Sequence, residues 1–199
     1  MPPSHTFWLC GLSGAGKSTL AATLTASLRD KGIPVLELDG DALRAGVSQG
    51  LGFSAEDRLE NLRRAACIAQ IGAQSGLCTV ASFITPLEVH RQLVRKVVGA
   101  DHVSLIYMDA SYAICRQRDV KGLYARAASG HVPHFTGLTD SFEPPTHADL
   151  VLHTGAESAE TSATKLLEFA LARLGSHTRF LFPSHSCITP SPISALCNA

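Results

Sequence analysis

Residues 6–18 read Thr6-Phe7-Trp8-Leu9-Cys10-Gly11-Leu12-Ser13-Gly14-Ala15-Gly16-Lys17-Ser18. A run suited to a buried strand leads into three glycines within six positions, then into a lysine and a hydroxyl that open an amphipathic stretch. The pattern is G-x-x-x-x-G-K-[ST], and it stands in the context that pattern needs, after a strand and before a helix. Glycine reaches torsions that let backbone N–H groups turn inward around phosphate oxygens. The helix N-terminus adds partial positive charge at the same place. Gly11, Ser13, Gly14, Ala15, Gly16 and Thr19 are the candidate cradle, Lys17 is placed to reach the β- and γ-phosphates, and the Ser18 hydroxyl to ligate Mg²⁺. The motif speaks for triphosphate binding more strongly than for any one reaction.

Working outward, short apolar runs alternate with longer amphipathic ones, which predicts an α/β fold with a parallel sheet. Strands are expected near residues 6–10, 34–39, 77–83, 103–109 and 150–152. Helices are expected near 17–31, from Ser54 to about Gly76, and near 87–98, 111–118 and 159–174. Ser54 with Asp57 three residues on reads as a capping box, and Leu59, Leu62, Ala66 and Ala69 form one stripe of the helix behind it. Residues 119–145 break the rhythm. This stretch is long, polar and basic, and segments of that length inside a compact domain are usually functional. Residues 1–175 read as one domain. Residues 176–199 are rich in Ser and Pro, with Arg179 as their only formally charged residue, and predict a disordered or loosely docked tail.

Composition narrows the function. Seventeen basic residues balance seventeen acidic ones, which argues against a nucleic-acid scaffold or a polybasic membrane binder. Six cysteines occur, Cys10, Cys67, Cys78, Cys115, Cys187 and Cys197, without a CxxC pair, so reduced buried thiols are expected. Met1 to Leu9 has no signal-peptide pattern and no stretch reaches membrane-spanning length; the cytoplasm is the expected location. A GTPase is disfavoured. Thr164-Lys165-Leu166-Leu167 lacks the aspartate of a guanine-reading motif, and Asp119-Val120-Lys121-Gly122 falls in the polar segment and not at a strand end.

Asp39-Gly40-Asp41 closes the second strand beside the expected cradle. A carboxylate there can accept a proton from an attacking hydroxyl or help hold Mg²⁺ through water. The same pair reads equally as a helix start capped by Asp41, so Asp39 is the functional candidate and Asp41 the structural one. Phe53, Arg58 and Asn61 form a second group, Arg58 and Asn61 sharing a helix face, with Arg44 able to join. An aromatic face, a guanidinium and an amide suit an adenosine bearing an anionic group. By spacing alone, a solvated charged face explains Arg58 and Asn61 as well. His131 and His134 are read as ordinary loop histidines.

Successive blocks then resemble the adenosine 5′-phosphosulfate (APS) kinase family: residues 11–19, Asp39 to Arg44, Leu51 to Arg58, Glu60 to Arg64, Ser82 to Pro86, Arg118 to Tyr124, Phe135 to Gly137 and Phe142 to Pro144. The resemblance implies a P-loop kinase of three layers, with a five-stranded parallel sheet and a mobile lid. It implies transfer of the ATP γ-phosphate to the 3′-hydroxyl of APS, with ATP and Mg²⁺ as cofactors. Asp39 would be the base, with Lys17 and Lys121 as the charged catalytic partners. Arg44, Arg58 and Asn61 would hold the anionic groups of APS, and Phe53 and Phe135 would stack on its adenine. Asp41, Ile84 and Leu123 would line that pocket, and Arg118 would lie on ATP. APS is the implied partner, a homodimer the implied assembly.

One segment departs from the family. After Phe83-Ile84 the family usually reads Ser-Pro-Tyr-Arg, whereas this chain reads Thr85-Pro86-Leu87-Glu88-Val89-His90-Arg91. A related kinase for another hydroxyl-bearing metabolite therefore stays open at this point, as does a nucleotide-binding module without turnover. Thr85 is read as a turn-initiating hydroxyl before proline, not as a phosphorylation site.

Overall fold

The computed structural model describes residues 4–120, 122–128, 136–137 and 140–175. Lys121, His131, His134, Phe135 and the 176–199 tail lie outside the described residues. The element order is β1 (Thr6–Cys10), α1 (Lys17–Asp30), β2 (Val35–Asp39), α2 (Gly40–Ala45), α3 (Ala55–Gln74), β3 (Cys78–Ser82), α4 (Glu88–Val98), β4 (Val103–Met108), α5 (Tyr112–Arg118), α6 (Leu123–Ala128), β5 (Leu150–Leu152) and α7 (Ala159–Gly175).

Alternation along β1 sets the layers. Phe7 and Leu9 point into one core with Leu20, Leu24 and Leu28 of α1 and Leu166, Ala170 and Leu174 of α7. Trp8 and Cys10 point into the other, with Leu62, Ala65, Ala66 and Ala69 of α3 and Val94 and Val98 of α4. A strand covered on both faces is buried at every position, as β1 and β3 are, so neither alternates between apolar and solvent-facing polar residues. The result is the expected three-layer sandwich. Its sheet has five strands in the order β2-β3-β1-β4-β5, and every pairing is parallel. The strand order reverses direction of growth at β1, so the crevice at the carboxyl ends of β1, β3 and β4 is where such a sheet takes ligands.

Local chemistry fixed several ends as expected. The Ser54 hydroxyl accepts the Asp57 N–H at 3.1 Å, while the Asp57 carboxylate reaches back to Gly52 N–H at 2.9 Å. The helix ends at Gln74, two residues short of Gly76, because Gly76 adopts φ 78 beyond it. Two expectations need correction. The cap of α2 is Asp39, whose carboxylate accepts the Asp41 and Ala42 N–H groups, so Asp41 lies inside the helix. The 119–145 stretch also contains a helix, α6, whose first N–H groups, those of Tyr124 and Ala125, donate to the Asp119 carboxylate at 3.0 Å each. That start is a local commitment of a turn aspartate to N–H groups five and six residues on, not a periodic signal.

The four described cysteines are free thiols, and Cys10, Cys78 and Cys115 are buried. Burial pushes the Cys10 and Cys78 thiols up to about 12, which keeps them protonated and unreactive. Among the described residues no helix is long and apolar enough to cross a membrane, and no cluster of three His, Cys, Asp or Glu side chains could hold a metal by itself.

Candidate active site

The turn after β1 has the torsions its glycines predict. Gly11, Gly14 and Gly16 adopt φ 146, 77 and 95. At Gly11 a side chain is excluded outright, since a Cβ would stand 2.8 Å from the Met108 carbonyl oxygen. Gly16 caps α1 without any side-chain hydrogen bond, and no acidic residue occupies the first turn. The leading N–H groups of α1 thus meet no carboxylate from the helix's own first turn. Lys17 Nζ donates to the carbonyls of Gly11 and Leu12 at 2.9 and 2.7 Å, folding its ammonium back over the turn.

A single cavity of about 460 Å³ begins at this turn and runs past the ends of β2 and β3 to α3. Its lining brings together Ser13, Gly14, Gly16, Lys17, Ser18 and Thr19 with Asp39, Asp41, Arg44, Phe53, Arg58, Asn61, Ile84 and Leu123. Residues from six separate stretches, up to about residue 123, therefore share one space of ordinary small-ligand size. Among the described residues, three sequence candidates stand outside the lining. Gly11 and Ala15 are buried within the turn itself. Arg118 donates to the Thr154 carbonyl at 2.6 Å and approaches that of Gly14 at 3.5 Å, bracing the cradle from the far side.

Asp39 stands at the middle. Its Oδ1 caps α2, accepting Asp41 N–H at 2.9 Å and Ala42 N–H at 3.4 Å. Its Oδ2 accepts the Ser18 hydroxyl at 3.0 Å and the Ser82 hydroxyl at 2.8 Å. Burial pushes the carboxyl upward, yet the four hydrogen bonds outweigh it, Ser82 foremost, and hold the group below the usual carboxylate range. Asp39 is ionised throughout the neutral range, with one oxygen structural and the other facing two hydroxyls.

At the far end Arg44 and Arg58 flank the Phe53 ring, their guanidinium carbons 4.5 and 5.6 Å from its centroid. Arg44 also donates to the Leu51 and Gly52 carbonyls, and Arg58 to that of Phe53. Burial lowers the pKa of both arginines, and Arg44 adds repulsion at Arg58 against the pull of Asp140. Two partly desolvated cations side by side gain from an anion between them. Asn61 is buried on the same wall, and its Oδ1 has no hydrogen-bond partner among the described residues. A buried acceptor left so costs about 1–3 kcal/mol unless a ligand or water satisfies it.

Sequence reasoning missed several lining residues: Leu62, Ser82, Phe83, Thr85, Pro86, Asp119, Val120, Tyr124 and Thr136. A signal existed for Ser82. It ends β3 and pairs in register with Asp39 at the end of β2, and parallel neighbours present their terminal side chains to the same crevice. None existed for Tyr124, whose hydroxyl donates to the Ser13 carbonyl at 2.8 Å across 111 residues of chain. The departing segment turns its changed residues away from the site: Glu88 accepts from Arg91 at 2.8 Å, and neither Leu87 nor Glu88 lines the cavity. Thr85 is buried, and its hydroxyl accepts the Trp8 indole N–H at 2.8 Å.

A family model described as adenylylsulphate kinase matches residues 3–153. The chain belongs to the adenylylsulphate kinase family. It is 43% identical over 164 residues to an adenylyl-sulfate kinase of Halothermothrix orenii, covering 82% of this chain and 88% of that one. It is 46% identical over 160 residues to one of Paraburkholderia xenovorans, covering 80% and 89%. Among solved structures it resembles the Mycobacterium tuberculosis APS kinase in complex with AMPPNP and APS, at TM-score 0.81 and 39% identity, over 85% of this chain and 99% of that one. Membership of the APS kinase family accounts for the strand order, the cradle after β1 and the five-stranded parallel sheet together.

Proposed function

We propose that this chain is an adenylylsulfate kinase, moving the γ-phosphate of ATP to the 3′-hydroxyl of APS and releasing 3′-phospho-APS and ADP. The observation that carries the reading is one cavity with a phosphate cradle at one end, two arginines around a phenylalanine at the other, and an ionised aspartate between them. The M. tuberculosis relative solved with an ATP analogue and APS supports both ligand classes.

Mg²⁺ fits the donor set: the Ser18 hydroxyl supplies a hard oxygen for the ion, and Asp39 Oδ2, 3.0 Å from that hydroxyl, would reach it through a water. When bound, the cation would draw charge off the β- and γ-phosphate oxygens. Lys17 and the N–H groups of α1 would hold the triphosphate and take up charge that develops on the transferred group. Arg44 and Arg58 would hold the phosphosulfate, Phe53 would offer its ring to the adenine, and the Asn61 Oδ1 would accept a ligand N–H or O–H. Asp41, Ile84 and Leu123 would shape the pocket. Asp39 would orient the 3′-hydroxyl and accept its proton. A carboxylate held below its usual range is a weak base, which suits a loose transition state where the proton leaves late. Lys121 and Phe135, outside the described residues, would bridge the two substrates and stack on the adenine as the family resemblance implies, and Arg118, which braces the cradle, would lie on ATP.

The test offers purified protein and Mg-ATP with APS and a panel of other hydroxyl acceptors. ADP release with APS alone is the expected result. Release with another acceptor, or binding of nucleotide without turnover, would overturn the reading.

A further inference from the structure

Ile84, Thr85 and Pro86 together form one wall of the cavity, which the functional reading above sets against the acceptor. Thr85 holds φ 46. A β-branched residue in the left-handed region is strained by roughly 1–3 kcal/mol and persists only when its surroundings over-determine it. Two side chains that do not line the cavity do so. Trp8, fully buried and stacked on Phe83 at 4.9 Å, donates to the Thr85 hydroxyl. Arg91, whose side chain is 2% exposed, donates through Nη1 to the carbonyls of Thr85 at 3.1 Å and Pro86 at 3.4 Å.

The rest of the Arg91 guanidinium is neutralised nearby. Nε donates to Glu88 at 2.8 Å, and Nη2 lies 4.0 Å from Glu143. The Glu143 carboxylate also accepts the Glu88 N–H at 2.7 Å, and its own N–H donates to the Pro86 carbonyl at 2.9 Å. A buried cation is tolerated only when paired and fully hydrogen-bonded. The planar fork's five donors can serve two carbonyls and two carboxylates together, one acceptor more than the three donors of an ammonium can reach. The Gly11 N–H bond to the Ile84 carbonyl, 3.2 Å, precedes the strained residue. That bond pins the near end of the wall to the cradle, so the turn at Thr85 and Pro86 is the part left for Arg91 to hold.

We propose that Arg91 is a positioning residue for the acceptor: through the Thr85 and Pro86 carbonyls it fixes the Ile84–Pro86 wall, and its loss falls on acceptor binding and spares the nucleotide. The assignment of the acceptor rests on the functional reading above; the mechanical part does not.

The experiment uses the full chain with Arg91→Lys and Glu143→Ala. KM is measured for APS and for Mg-ATP by ADP release. The emission of Trp8, the single tryptophan of the chain, reports the wall directly. For Arg91→Lys the expected result is a KM for APS raised about tenfold, a KM for Mg-ATP within about twofold, and a red shift of Trp8 emission. Glu143→Ala should move the APS value the same way by about threefold. Parallel change in both KM values, no change in either, or unaltered Trp8 emission overturns the proposal. Should Arg91→Lys fail to fold, Glu143→Ala decides, because its side chain is 55% exposed: a rise confined to APS supports the proposal and no rise overturns it. If the unmodified protein does not turn over APS, the functional reading fails. The Trp8 shift in Arg91→Lys then still decides whether Arg91 holds the wall.

Discussion

Asp39→Asn separates the structural oxygen of this side chain from the chemical one. Oδ1 caps α2 through two N–H groups, and asparagine caps a helix about as well as aspartate, so that contribution survives. Oδ2 accepts the Ser18 and Ser82 hydroxyls. Those bonds lose their charge assistance, the difference between roughly 1.5–3 and 0.5–1.5 kcal/mol for each. The hydroxyls can turn to accept from the new amide, and Asp39 is only partly buried, so the expected loss is about 1–2 kcal/mol in all. That lowers Tm by about 2–8 °C for a domain of this size. Losing the ionised group that takes the acceptor proton should lower kcat by about 10²–10⁴-fold. Affinity for Mg-ATP should stay within about threefold. The assay is ADP release at saturating APS, beside calorimetric titration of nucleotide and a melting curve. Asp39→Ala is the control, since it also removes the cap at a further cost of about 1 kcal/mol. A kcat within threefold of the unmodified protein, or a collapse of Tm with both affinities falling together, would show a purely structural carboxylate.

Gly11→Ala places a methyl 2.8 Å from the Met108 carbonyl oxygen at φ 146; it should cost roughly 2–4 kcal/mol and about 5–15 °C in Tm, with loss of nucleotide binding, read by thermal melting with and without Mg-ATP. His90 is held below its ordinary value by burial first, then by the Arg58 and Arg91 cations, with Glu143 opposing. Its neutral form is the one the fold favours, so the unfolded chain binds more protons below the ordinary value of 6.5, and stability present above that pH is lost as pH falls through the folded pKa. His90→Gln should flatten the fall in unfolding free energy on the acid side of pH 6.5, measured by urea titration; an unchanged slope would exclude His90 as its source.

Most of the candidate site was legible because it is written in short blocks. The cradle is consecutive, Arg58 and Asn61 are one helical turn apart, and Asp39 ends a strand beside the cradle. The strand positions were legible for the same reason, since apolar runs bounded by glycine and proline mark buried strands without reference to anything distant. The misreadings came where two local solutions compete. Asp39 and Asp41 are both good caps, and the choice fell to Asp39 because its carboxylate also meets Ser82 from β3. α6 escaped notice because a six-residue helix is shorter than any period can reveal, and its start depends on Asp119 turning back. Thr85 looked like an ordinary turn residue before proline, whereas its hydroxyl is committed to Trp8, 77 positions away.

By itself the sequence determined the strand-turn-helix cradle, because torsion preference and hydrogen bonding over a dozen consecutive residues suffice to build it. It also determined the family, through blocks that need only be present and in order. The tertiary structure decided what Asp39 is, which way the arginines turn, and that the Thr85 wall is held from behind by Trp8 and Arg91. Those depend on the strand order β2-β3-β1-β4-β5, which sets side by side strand ends that lie far apart along the chain. Burial then gives a hydroxyl, a carbonyl or a guanidinium its role through the neighbours that sheet packing assigns to it.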